Sequence, residues 1–136
     1  IERLKAVSNI ATATLPQLAI AEFLVTGGYD QYLRKIRAIY SRQMSLMAQA
    51  VQKSFPDGTR VSSPAGGFVL WVEMPETVDS IKLYELALRA GITIAPGRIF
   101  SAAGKYSNCL RLNAAFWSRR IADAVGEIGE LAKELV

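Results

Sequence analysis

From Leu33 to Val51 the apolar side chains recur at steps of three and four: Leu33, Ile36, Tyr40, Met44, Met47 and Val51. That spacing predicts one long helix over about residues 29–54 with a single buried stripe. Upstream, Ile1 to about Ser8 reads as the end of another helix, broken at "ATATLP", where Pro16 disfavours helix at Leu15. Pro16 suits the first turn of a second helix, which stops at Gly27-Gly28. Its apolar residues Leu18, Ile20, Phe23 and Leu24 run almost all round, so this helix is expected to be buried or to face a partner. After the turn "FPDGTR" the period changes from four to two. The short stretch "TRVSSP" and the run "GGFVLWVEMP", rich in β-branched and aromatic residues, predict two strands of a hairpin. Asp79 or Ser80 then caps a helix containing Ile81, Tyr84, Ala87 and Leu88, ending at Gly91. "ITIAP" and "NCLRLNAA" predict two more strands. A last helix starts near Ser118, with Ile121, Val125, Ile128, Leu131 or Ala132, and Leu135 at helical steps.

The order is helices, two strands, helix, two strands, helix. It predicts an α+β fold of two layers, a small, mostly antiparallel sheet covered by helices on one face. At 136 residues, 51% of them hydrophobic, the chain suits one domain. It begins at Ile1 inside a helical pattern, so it is expected to be a piece of something longer. Residues 1–27 would be linking helices and 28–136 a small domain.

Composition then removes whole classes of chemistry. Without histidine there is no Ser-His-Asp triad, no Cys-His pair and no histidine metal site. The one cysteine, Cys109, cannot form an internal disulfide. Arginine, lysine, tyrosine or backbone groups are left to serve any chemistry, and no metal is expected. No run reaches the ~18 apolar residues of a membrane span, and no signal peptide stands at the start, so the default expectation is cytoplasmic, with no membrane partner.

The net charge of +4 raises the question of nucleic acid. The densest basic stretch, "YLRKIRAIYSR", places Arg34, Lys35, Arg37 and Arg42 mostly off the apolar stripe of the long helix. A solvated face accounts for it, and no reader motif accompanies it.

One charge does change the picture. In "NCLRLNAAF", strand alternation puts Leu110 and Leu112 on the core face and Cys109, Arg111 and Asn113 on the uncovered one. Arg111 is then either a structural ion-pair or surface arginine, or an anion receptor. Guanidinium is planar and permanently charged and grips a carboxylate through two parallel hydrogen bonds.

The runs "YDQYLRKIRAIYSRQM", "FPDGTRVSSPAGGFVLWVEMP" and "GITIAPGRIFSAAGKYSNCLRLN", in this order, resemble the C-terminal small domain of fold type I pyridoxal-phosphate aminotransferases. Within that group they look most like the aminotransferase-like part of the MocR subfamily of GntR transcription regulators. The resemblance covers nearly the whole chain. It implies that Arg111, in the "LRL" strand, binds the substrate carboxylate, and that Pro96, Gly97 and Phe100, a "PG..F" turn, form a cleft wall. Gly66 and Gly67 match a glycine pair before the strand, more structural than functional. "AAFWSRR" departs from the small or turn residues usual after "RLN". The resemblance further implies that the Schiff-base lysine lies upstream, so that this stretch holds no catalytic residue and binds no cofactor alone, while the full-length protein uses pyridoxal 5'-phosphate. The implied partners are the upstream large domain, an amino acid or 2-oxo acid, DNA through an N-terminal domain, and a second copy in a homodimer. A genuine pyridoxal-phosphate-dependent aminotransferase acting on amino acids and 2-oxo acids stays open beside the regulator, as does a free-standing binding module.

Overall fold

The computed structural model describes Val7 and residues 13–136; the expected helix at residues 1–8 lies, apart from helical Val7, outside the described residues. The chain divides into two compact units, Ile1–Ile36 and Arg37–Val136. The first contains helix α1 (Thr14–Val25), with Pro16 in its first turn, and the start of helix α2 (Gly28–Ser54). Between the two helices Gly27 takes φ +77°, a left-handed conformation that glycine adopts without penalty. None of the residues of α1 is buried, and Leu15, Leu18, Ile20 and Val25 are all exposed.

The second unit contains the rest of α2, then β1 (Arg60–Val61), β2 (Val69–Glu73), α3 (Ser80–Arg89), β3 (Ala95–Pro96), a 3₁₀ turn (Gly97–Phe100), β4 (Cys109–Asn113) and α4 (Arg119–Lys133). The four strands form one antiparallel sheet in the order β1-β2-β4-β3. The α+β reading therefore holds, and the first two strands pair as the expected hairpin. "ITIAP" contributes only two paired residues, because Pro96 has no N–H to donate and Gly97 opens the 3₁₀ turn.

Strand register explains the core. β2 pairs with β4 so that Leu70 faces Leu112 and Val72 faces Leu110. Antiparallel partners share a face, so these four make one apolar patch. Onto it pack Met47 and Val51 of α2, Phe55 just after it, Leu83 and Ala87 from α3, and Val125, Ile128 and Ala132 from α4, as one cluster. Fully burying an aliphatic side chain such as Leu110 contributes roughly 1.5–3 kcal/mol, so this layer holds the sheet to its helices. The α2 stripe buries as its spacing predicts only near its C-terminus, at Met47 and Val51. In α3 the buried stripe is Ser80, Leu83 and Ala87, while Leu88 is exposed. Asp79 caps α3, its Oδ1 accepting from the backbone N–H groups of Ile81 and Lys82.

Candidate functional site

The face of the sheet turned away from the helices holds the candidate site. Arg111 projects from β4 there, paired across the ladder with Trp71 of β2 and with Ala95 of β3. The guanidinium carbon lies over the ring of Phe100, 4.5 Å from its centroid. Trp71 meets that same ring edge-on at 5.8 Å and meets Tyr106 edge-on at 5.3 Å. Four side chains from β2, β4, the 3₁₀ turn and the loop after it therefore converge on one patch. Among the described residues the ion pairs are Arg60–Glu73, Arg98–Asp79 and Lys133–Glu130, none of which uses Arg111. Arg111 is exposed, and among the described residues its side chain donates to no protein acceptor. A structural ion pair within these residues is thus ruled out as the reason for its charge.

Of the residues singled out in the sequence, the structure brings Arg111 and Phe100 into contact. Pro96 and Gly97 instead fix the turn. Pro96 pairs with Leu110, and Gly97 lies so close to β4 that a Cβ there would run into the Tyr106 carbonyl and stand 2.8 Å from Cys109 Cβ. Gly67 takes φ +85° with open space around it, so the glycine pair serves a turn and not a close approach. Asn113, though on the Arg111 face, is used structurally: its Oδ1 accepts from Ala115 N–H and turns the chain out of the strand.

Cys109 corrects the simple alternation. It shares the Arg111 face by parity, yet it is buried, because the 3₁₀ turn and Tyr106 fold over that end of the sheet. Burial pushes its thiol pKa up, and the carboxylate of Glu73, its cross-strand partner, adds to the shift. A neutral, enclosed thiol is a poor nucleophile. Trp71 and Tyr106 were not foreseen. Trp71 was legible in principle, since inward Leu70 and Val72 put it on the open face. Tyr106 was not, because its placement depends on a left-handed backbone at φ 64° that a tyrosine rarely adopts.

The Arg37–Val136 unit also has two grooves. One, of about 780 Å³, runs between α2 and the loop before β2, lined by Arg37, Tyr40, Met44, Ser62 and Gly67. The other, of about 700 Å³, lies at the β3 edge and touches Arg111, Asn113 and Arg120. The first groove also holds a cation and a ring, Arg37 and Tyr40, but among the described residues only Arg111 has its guanidinium stacked on an aromatic face, so the Arg111 patch is the better candidate site.

Residues 1–127 match the family model for aminotransferases of class I and II. The chain belongs to that family. Similar curated proteins include the HTH-type transcriptional regulator YjiR of Escherichia coli, 41% identical over 115 residues, covering 84% of this chain and 24% of that protein. The 2-aminoadipate transaminase of Thermus thermophilus is 30% identical over 130 residues, covering 95% of this chain and 32% of the enzyme. Among solved structures, the α-aminoadipate aminotransferase LysN of Thermus thermophilus, bound to N-(5'-phosphopyridoxyl)-L-leucine, superposes with a TM-score of 0.83 at 30% identity, covering 98% of this chain and 34% of LysN. The kynurenine aminotransferase of Pyrococcus horikoshii superposes with a TM-score of 0.89 at 27% identity, covering 98% of this chain and 33% of that one. The chain therefore spans about a quarter to a third of the length of these relatives.

Pyridoxal phosphate, the cofactor such a family implies, needs a lysine held in a pocket to attach it. The described lysines, Lys35, Lys53, Lys82, Lys105 and Lys133, are all exposed. These residues do not by themselves fit the group.

Proposed function

We propose that this chain is the C-terminal part of the aminotransferase-like, ligand-sensing region of a GntR/MocR-type transcription regulator, and that Arg111 grips the carboxylate of its amino-acid or 2-oxo-acid ligand. The observation that carries this reading is the guanidinium of Arg111, without an ion-pair partner among the described residues, on the open face of a central strand. A rigid strand aims such a fork better than a loop does. Pro96, Gly97 and Phe100 form one wall of the ligand cleft, and the rest of the cleft, with pyridoxal phosphate and its lysine, belongs to other segments of the complete protein. DNA binding through another domain and a homodimeric assembly belong to the same proposal. The similarity to YjiR, at 41% identity, favours the regulator. The similarity to a transaminase at 30% identity supports the second reading, an aminotransferase acting on amino acids and 2-oxo acids.

The test uses the complete, cofactor-depleted protein and two probes, N-(5'-phosphopyridoxyl)-L-alanine and its counterpart without a carboxylate, N-(5'-phosphopyridoxyl)ethylamine. Titration calorimetry should show a preference for the alanine conjugate that Arg111→Ala reduces roughly 100-fold, since two charge-assisted hydrogen bonds are lost. Arg111→Lys should recover only part of it. The melting temperature should barely change, because the side chain points away from the core. A variant that melts early but keeps the preference would make Arg111 a scaffold residue.

A further inference from the structure

Phe100 is only loosely required by the fold, yet it is held firmly in place. It is 40% exposed and is not a member of the apolar cluster under the helices. Its backbone, however, is fixed at several points. Pro96 is paired to Leu110, and Gly97 is wedged against Cys109 and the Tyr106 carbonyl. The Ser101 N–H closes the turn on the Arg98 carbonyl at 3.1 Å. Arg98 then reaches Asp79 Oδ2 at 3.3 Å, the second oxygen of the carboxylate that caps α3. Trp71 braces the ring from the side. What this scaffolding presents is one aromatic face, and the group over that face is the Arg111 guanidinium.

An arginine side chain on an open sheet face has several free rotors, and fixing them costs conformational entropy when a ligand is bound. A cation over an aromatic face is held without its N–H groups being used. From this we infer that Phe100 is a positioning residue for Arg111: its ring holds the guanidinium in place while leaving its donors open to a carboxylate. The inference rests on the carboxylate reading of Arg111. It adds that an aromatic ring at position 100, and not merely an apolar side chain, sets the affinity for carboxylate ligands. Arg98 and Asp79 act one step further back, by anchoring the turn.

The same two phosphopyridoxyl probes separate the possibilities in the complete protein. Phe100→Leu and Phe100→Met keep an apolar side chain but remove the ring face. Each should lower the preference for the alanine conjugate about 3- to 30-fold, the range of a cation–aromatic contact, while leaving ethylamine-conjugate affinity within about twofold. Phe100→Tyr and Phe100→Trp should keep the preference. A thermal melt on every variant identifies any that misfolds, and the Leu and Met replacements serve as substitutes for each other. If Arg111→Ala abolishes the preference while the Leu and Met variants retain it, the positioning role is wrong and the carboxylate reading stands. If Arg111→Ala itself retains the preference, the carboxylate reading fails and the role of Phe100 falls with it. Equal losses in all four Phe100 variants would also overturn the inference, because shape and not the aromatic face would then be what matters.

Discussion

Gly97→Ala places one methyl group where the structure has no room. The added Cβ would meet the Tyr106 carbonyl oxygen and would stand 2.8 Å from Cys109 Cβ and 2.9 Å from the Cys109 carbonyl. Two of these three neighbours are backbone atoms, and Cys109 is locked in β4 opposite Glu73, so no side-chain rotation relieves the contact. Gly97 itself does not need positive φ, so the effect is purely one of crowding. Overpacking of this kind costs typically about 1–3 kcal/mol. At about 4–8 °C per kcal/mol for a unit near 100 residues, the expected fall in melting temperature is roughly 4–24 °C. Urea unfolding followed by tryptophan fluorescence is a suitable assay. Both tryptophans, Trp71 and Trp117, lie in the Arg37–Val136 unit, and Trp71 touches the turn through Phe100. The lower midpoint should come with an altered native-state emission, since the turn and Phe100 must shift off β4. A Gly97→Ala protein with an unchanged midpoint and spectrum would refute the close seating of the turn and remove the scaffold that holds Phe100.

Two further outcomes follow from local geometry. Asp79→Ala removes both the cap of α3 and the Arg98 anchor and should cost about 1 kcal/mol in urea unfolding, whereas Asp79→Asn, which still caps, should cost clearly less; equal losses would argue against the cap as the source of the stabilisation. Burial raises the Cys109 pKa in the folded state, so the unfolded chain releases this proton first, and the contribution to stability is intact below the ordinary thiol range and lost as pH rises from there through the raised folded value. The urea midpoint should therefore begin to fall as pH rises past about 8.5, the ordinary thiol value, in the parent chain and fall less in Cys109→Ala, with thiol alkylation slow until the chain unfolds; rapid alkylation of the native protein would contradict the enclosed position.

How much of this was legible in the sequence depended on how far each feature reaches along the chain. Strand parity in "CLRLN" put Leu110 and Leu112 inward and Arg111 outward, and the structure agrees, because period two is a local property of an extended backbone. Parity says which side a residue takes but not what covers that side, which is why Cys109 is enclosed by a turn that precedes it in the chain. Trp71 shares the open face by the same alternation, but its pairing with Arg111 joins residues 40 positions apart, and register at that distance leaves no local mark. Tyr106 left no sign at all, since its left-handed backbone is imposed by the loop around it. The rotation of the α3 stripe toward Ser80, Leu83 and Ala87 reflects where the sheet lies and not the helix period itself.

The central claim, that Arg111 is the carboxylate receptor of this family member, is tested most directly by a crystal structure of the complete protein bound to N-(5'-phosphopyridoxyl)-L-alanine. The account predicts both carboxylate oxygens about 2.7–2.9 Å from guanidinium nitrogens of Arg111, with the Phe100 ring still beneath the guanidinium carbon. A carboxylate held by other groups, with Arg111 turned to solvent or paired with a protein acid from outside this chain's residues, would contradict it.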